Sequence, residues 1–440
     1  MKSNSKSRKI LILFLLFNLI FLLNFQFIFA TESTNTNTST NNSNNDTTNT
    51  EPTLISESAF LMDNKTEKIL YKKNEDKKMY PASTTKIVTA LLTLENCKLD
   101  DVITVSYNAA MSIPDGYSTA YLQIGEQLTV DQLLQLLLVH SANDAANVLA
   151  EHVGSSIESF VSMMNTKANE FGLQNTHFTN SFGMHDENHY TTAHDLAIIM
   201  KKCIKNEDFR RIAGLASCAI PATNRYGPRS YNSTNELIIP NNSNHYKYLT
   251  CGKTGYTKEA GDCLVSCSYK DNLELICVIL GGKTVNGTST RFSETKTLYQ
   301  YGYNNYSIQN ILNQNDVVTN IEVKNGTNKT KNLDLLANGE IQALLENNLS
   351  KDNLKFDINL KDNIKAPIEQ EEVLGNITYN VDGIEYKTDL IASHSVEKSK
   401  LPIIIIGIAI VILILTLIII KTSKKRKKKT KYKNFKYKRF

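Results

Sequence analysis

Tyr80-Pro81-Ala82-Ser83-Thr84-Thr85-Lys86 runs directly into Ile87-Val88-Thr89-Ala90-Leu91-Leu92-Thr93-Leu94. Ile87, Leu91 and Leu94 recur at helical spacing with Val88 and Leu92 beside them, which predicts a helix over 83–94 with Ser83 at its start. Lys86 follows Ser83 by slightly less than one turn, so hydroxyl and amine project to the same side. Serine is a poor nucleophile until a base takes its proton. A lysine is such a base when burial and neighbouring cations depress its pKa. The free backbone N–H of Ser83 at the helix start supplies half of an oxyanion hole.

Two further short motifs follow in order. Ser141-Ala142-Asn143 falls between a leucine-rich helix expected over 128–140 and a second over 145–153. Ser141 offers a hydroxyl that relays a proton between the base and a leaving amine, and the Asn143 amide holds both a lysine and a substrate carbonyl. Lys253-Thr254-Gly255 ends a strand-like run. Lys253 brings fixed positive charge and Thr254 a hydroxyl, which suits a terminal carboxylate, and Gly255 lets a substrate backbone approach. Each motif alone reads equally well as an N-cap, a polar helix joint or a strand end. The ordered trio points to acyl transfer on a peptide with a free C-terminus.

The surroundings set the architecture. Ser58 to Met62 and Lys68 to Tyr71 flank a turn at Asp63-Asn64-Lys65-Thr66, and 157–171 reads as a helix. Thr192-Ala193-His194-Asp195 resembles a capping box opening a helix over 196–204. Strand-like runs at 248–254, 262–269 and 273–280, with a tight turn at Lys270-Asp271-Asn272, precede a helix at 295–301. From Asp316 to Ser393 short β-branched runs (317–323, 354–358, 376–381, 384–390) alternate with Asn- and Gly-containing turns, a small β-rich region carrying no chemical motif.

The 440-residue chain also has distinctive ends. Lys2, Lys6, Arg8 and Lys9 precede an apolar run from Ile10 to Leu23, a signal segment with Ala30 as the plausible cleavage residue. Thr31 to Pro52 is rich in Asn, Thr and Ser, and predicts a disordered tether. Leu401 to Ile420 is free of charge and long enough to span a bilayer, and 421–440 holds twelve Lys or Arg and no acid. By the positive-inside rule the tail is cytoplasmic and the body lies outside. Without the basic residues of the two ends, the formal +5 becomes about −11. The basicity is therefore topological, and no nucleic-acid partner is expected. Seven cysteines at irregular spacing predict no disulfide framework.

The stretches 80–86, His140 to Ala146 and Gly252 to Thr257 resemble the serine-type D-alanyl-D-alanine carboxypeptidases, the low-molecular-mass penicillin-binding proteins, over about residues 54–306. Ala366-Pro367-Ile368 and Val373-Leu374-Gly375 resemble that family's C-terminal module. The resemblance implies an α+β fold: a penicillin-binding/β-lactamase-like catalytic domain of helices packed on an antiparallel sheet, a small β-rich domain and a C-terminal transmembrane helix. The expected boundaries are 1–30 signal, 31–52 linker, 53–306 catalytic, 307–395 β-rich, 401–420 transmembrane and 421–440 cytoplasmic tail. It implies Ser83 as acyl-ester nucleophile, Lys86 as proton acceptor, Ser141 as shuttle, and Lys253 with Thr254 as carboxylate clamp. The second oxyanion N–H would be that of Tyr256, and Arg291 would help bind the carboxylate. Asn180-Ser181-Phe182-Gly183-Met184 departs from the family's Pro-His-Gly type of turn, and is expected to alter only the rim of the cleft. The implied partners are peptidoglycan stem peptides ending in D-Ala-D-Ala, β-lactams as covalent inhibitors, and the membrane.

Other readings share the motifs. A class A β-lactamase requires Glu-x-x-Leu-Asn, and the nearest approach, Glu170-Phe171-Gly172-Leu173-Gln174, ends in Gln. A peptidoglycan D,D-endopeptidase is not separable from a carboxypeptidase on the motifs, and an inert wall-binding protein rests only on the tether and β-rich region. His185, His189 and His194 near Asp186 and Asp195 lack His-Glu-x-x-His spacing, so neither metal nor cofactor is expected.

Overall fold

The computed structural model describes residues 51–436. The signal segment and nearly all of the tether lie outside the described residues. β1 (Ser58–Asp63) and β2 (Ile69–Lys73) form a hairpin, closed where Asp63 Oδ2 accepts from Thr66 N at 2.7 Å and Thr66 Oγ1 at 2.6 Å. With β3 (Leu249–Thr257), β4 (Gly261–Lys270) and β5 (Leu273–Gly282) they build an antiparallel sheet in the order β2-β1-β5-β4-β3. The β4–β5 turn is tight because Asp271 and Asn272 both take positive φ, 50° and 63°, which short polar side chains tolerate. The Lys-Thr-Gly motif lies inside β3 and does not end it, since pairing with β4 continues to Thr257 opposite Gly261.

Alternation along β5 divides the core in two. Ile276 and Val278 face helices α1 (Lys86–Asn96), α3 (Asn143–Gly154), α4 (Ile157–Glu170) and α5 (Ala193–Cys203) through Ile87, Leu91, Leu149, Phe160 and Met200. Short helices α2 (Val130–Gln135) and α6 (Glu207–Ala213) complete this layer. Leu275, Cys277 and Ile279 face Leu298 and Tyr299 of α7 (Thr290–Asn305) on the other side. The expected capping box at Thr192 is half formed. Thr192 Oγ1 accepts from Asp195 N at 3.0 Å, whereas the Asp195 carboxylate accepts from Asn175 N and Thr176 Oγ1. All seven cysteines are free thiols.

After α7 the chain forms β6 (Tyr306–Leu312), β7 (Val317–Glu322), β8 (Asn332–Ala337), β9 (Ile341–Glu346), β10 (Phe356–Leu360), β11 (Val373–Val381) and β12 (Ile384–Ala392). Five of them make a second antiparallel sheet, β7-β8-β12-β11-β10, and β6 pairs with β9. This region has its own apolar core, including Leu333, Leu335, Ile377 and Leu390. Lys68 ties it to the first sheet by a 2.7 Å ion pair with Asp382. Helix α8 (Leu401–Lys436) starts where the span was expected and runs on through the lysine-rich segment, whose residues are good helix formers. Among the described residues it is the helix long and apolar enough to cross a membrane.

Candidate active site

Ser83 lies in a 3-10 turn, Ala82–Thr85, that leads into α1, rather than in the α-helix itself. The difference sharpens the pairing, because residues three apart eclipse one another in a 3-10 turn. Lys86 Nζ sits 2.8 Å from Ser83 Oγ, 2.6 Å from Asn143 Oδ1 and 2.9 Å from the Phe182 carbonyl oxygen. The Lys86 side chain is fully buried, and burial first, then the charge of Lys253, hold its pKa well below the ordinary lysine value against the opposing pull of Asp144. The amide and peptide oxygens can only accept. A neutral amine therefore donates its two N–H bonds to them, leaving its lone pair for the Ser83 hydroxyl proton.

The second motif is aimed by a distorted helix end. A π-helical turn over Leu136–His140 continues α2 and stops at Ser141, which is left-handed with φ 66°. Ser141 is buried at this joint, and Asn143 opens α3 with its N–H donating to the Ser118 carbonyl at 2.9 Å. Asp144 accepts from the N–H groups of Ala120 and Leu122, which holds the preceding loop over the motif.

β3 closes the third side as the free edge of its sheet. A Cβ on Gly255 would lie 2.8 Å from Ser83 N and 3.0 Å from Thr84 N, so only glycine allows the strand this close to Ser83. Lys253 is buried, its Nζ donates to the Thr254 carbonyl at 2.9 Å, and burial, then Arg291, push its pKa down to about 7. Its charge is thus not the fixed one that sequence suggests. Thr254 Oγ1 is hydrogen-bonded to Thr234 Oγ1, and the Tyr256 side chain is exposed. Arg291 lies at the first turn of α7, with Nη1 donating to the Gly255 carbonyl at 2.9 Å and standing 3.4 Å from Asp262 Oδ1.

The 180–184 segment is part of the centre rather than its rim. Phe182 gives Lys86 a backbone carbonyl, Ser181 is fastened by Thr89 and Asn147, and Asn180 Oδ1 accepts from the N–H groups of Gly183 and Met184 at 2.8 and 2.9 Å. Gly183 has φ 88° and packs against Ala82, itself at the unusual φ of 48°. His189 supports the same turn. Its Nδ1 accepts from Thr179 N, so Nε2 carries the proton and donates to Thr85 Oγ1 at 2.9 Å, which in turn donates to the Ala82 carbonyl at 2.8 Å. Burial pushes the His189 pKa down to about 3, so the ring is neutral and both nitrogens are engaged. His185 packs edge-on against Tyr80, and His194 Nδ1 stands 3.3 Å from Asp76. Among the described residues no group of three or more His, Cys, Asp or Glu side chains is placed to hold a metal ion. Glu170 ends α4 in an ion pair with Lys167 and is largely exposed, unlike a buried deacylation base.

Residues 45–284 match the D-alanyl-D-alanine carboxypeptidase family, and residues 306–398 match the penicillin-binding protein 5 C-terminal domain. The chain is 33% identical over 333 residues to the D-alanyl-D-alanine carboxypeptidase DacF of Bacillus subtilis, covering 74% of this chain and 82% of that one. It is 30% identical to DacA of Haemophilus influenzae, over 76% and 83% of the two chains. Among solved structures, penicillin binding protein 5 of Haemophilus influenzae superposes with a TM-score of 0.60 at 28% identity, covering 79% of this chain and 99% of that chain. The Streptomyces K15 DD-transpeptidase gives 0.54 at 31% identity, over 58% and 99%.

Proposed function

As the chain belongs to the D-alanyl-D-alanine carboxypeptidase family, the low-molecular-mass penicillin-binding proteins, we propose that Ser83 is its nucleophile and Lys86 the base that activates it. Ser83 Oγ attacks the carbonyl of the penultimate D-alanine while Lys86 takes the hydroxyl proton. The N–H groups of Ser83 and Tyr256 receive the oxyanion. Ser141 passes the proton on to the departing D-alanine amine, and Asn143 holds Lys86 in line. Lys253 and Thr254 bind the terminal carboxylate, and Gly255 provides the close approach. Water then hydrolyses the Ser83 ester and frees the enzyme. No cofactor enters any of these steps.

The observation that carries this reading is the buried Lys86 amine, held against Ser83 Oγ by two groups that can only accept. The family acts on peptidoglycan peptides ending in D-Ala-D-Ala and binds β-lactams. Labelling with penicillin followed by mapping of the modified peptide is expected to place the adduct on Ser83, and digested peptidoglycan is expected to lose one D-alanine per stem. An adduct elsewhere would refute the nucleophile. Splitting of cross-linked dimers without D-alanine release would make the protein an endopeptidase.

The apolar helix α8 and the twelve cations beyond Ile420 support a single-pass anchor with the catalytic body outside the cell and the tail in the cytoplasm. Protease treatment of intact cells should remove the body and spare a tag at the C-terminus. Loss of the tag with survival of the body would reverse the orientation.

A further inference from the structure

Arg291 is nearly enclosed, and its environment is that of a group fastened to the main chain. Its side chain is 15% exposed, its guanidinium stands 4.8 Å from the centre of the Phe292 ring, and Nη1 donates to the Gly255 carbonyl at 2.9 Å beside Asp262 Oδ1 at 3.4 Å. Asp262 belongs to β4, so the Gly255 carbonyl points toward the sheet interior. In a trans peptide the N–H points opposite to the C=O. The N–H of the same peptide unit, that of Tyr256, therefore points away from β4 to the open edge of β3, and Ser83 is close by, its backbone nitrogen 2.8 Å from where a Cβ on Gly255 would lie.

From this geometry we infer that Arg291 is a positioning residue for the oxyanion site: it acts through the Gly255 carbonyl to orient and polarise the Gly255–Tyr256 peptide. This inference rests on the acyl-transfer reading above. Two physical effects contribute. A glycine has no side chain to fix its peptide plane, so the cation on the carbonyl supplies the restraint. A charge-assisted hydrogen bond to the carbonyl also strengthens the amide N–H as a donor, since linked hydrogen bonds polarise one another. Asp262 Oδ1, 3.4 Å from the same Nη1, helps keep that nitrogen at the Gly255 carbonyl. A direct carboxylate ligand would instead use its other N–H groups, of which Nε is buried without a hydrogen-bond partner among the described residues.

The two roles separate on substrates that differ in one group. Arg291→Gln and Arg291→Lys are compared with wild type on a peptide ending in D-Ala-D-Ala and on an acyl-D-alanyl thioester with an uncharged leaving group and no terminal carboxylate. The expected result is a fall in kcat of about 10- to 100-fold on both substrates for Arg291→Gln, below the loss seen when an oxyanion donor is deleted outright, with KM little changed. Arg291→Lys should recover part of it. In the penicilloyl enzyme the ester carbonyl infrared band should move to higher wavenumber in Arg291→Gln, because a weaker oxyanion site polarises the ester less. A rise in KM confined to the carboxylate-bearing peptide, with thioester turnover and carbonyl band unchanged, overturns the inference in favour of a carboxylate ligand. Unchanged kinetics on both substrates overturns it as well. Thermal melts of both variants identify a folding defect, in which case the carbonyl band of the folded Arg291→Lys variant decides. Failure of wild type to form an adduct on Ser83 would instead sink the reading beneath it.

Discussion

Lys86→Met is expected to lower the rate of acylation by penicillin by about 10³- to 10⁴-fold, near the upper range of what a positioned general base contributes. The thioether preserves length and volume but has no lone pair basic enough to take the Ser83 proton. The pH dependence of wild type follows from the same amine. Acylation should rise with pH as the depressed Lys86 amine loses its proton, and binding of a terminal carboxylate should weaken as Lys253 deprotonates from about pH 7 upward. Stability carries a matching signature. Between the depressed value of Lys86 and the ordinary ~10.4, the unfolded chain binds more protons than the folded one, so wild type gains stability as pH rises through that window. The Met variant lacks that gain, and its melting temperature should fall progressively behind wild type as pH increases. Stopped-flow acylation with thermal melts from pH 5 to about 10 tests both. Near-normal acylation of Lys86→Met, or a flat wild-type profile, would remove Lys86 from its role.

Gly183→Ala should cost about 2–4 kcal/mol of stability and reduce acylation by roughly 100-fold or more. A Cβ at this position would lie 1.8 Å from the Ala82 carbonyl oxygen, 2.3 Å from its carbon and 2.9 Å from Thr85 Oγ1, at a φ of 88° that an L-residue resists. The atoms struck are the main chain immediately before Ser83, so relief of the clash must move Ser83. Gly172→Ala is the control. It has φ 75° and nothing within 4 Å of the added methyl, so it should lose only about 1–2 kcal/mol with acylation intact. Equal acylation by both variants would show that the contact with Ala82 does not place Ser83.

The chemistry-bearing side chains were legible in sequence where spacing alone brings groups together. Ser83 and Lys86 are one turn apart, Ser141 and Asn143 flank a helix joint, and Lys253 to Tyr256 occupy consecutive positions on one strand. The missing fourth wall is different in kind. Phe182 contributes a carbonyl that every residue possesses, so no side-chain pattern announces it, and only Asn180 and Gly183 carry the shape of the turn. His189 was visible as a histidine near acids, but its real partners, Thr85 and Thr179, are brought to it by the fold. The charge state of Lys253 depends on enclosure, and the contact of Arg291 with Gly255 depends on how α7 meets β3. In the β-rich region, Asn332–Ala337 and Ile341–Glu346 carry leucines in place of the β-branched residues that mark a strand in sequence, and pairing with β12 and β6 decides their form.

The peptide carbonyl of Phe182 also bears on drug escape. A bacterium under β-lactam selection can exchange side chains one codon at a time, but no missense change deletes a peptide oxygen. An inhibitor reaching past Ser83 to compete with Lys86 for that carbonyl would contact a feature that substitution can displace only by deforming the turn packed against Ala82, beside Ser83. Resistance at that contact would carry a loss of the enzyme's own turnover, a coupling absent where a drug leans on an exposed side chain such as Tyr256.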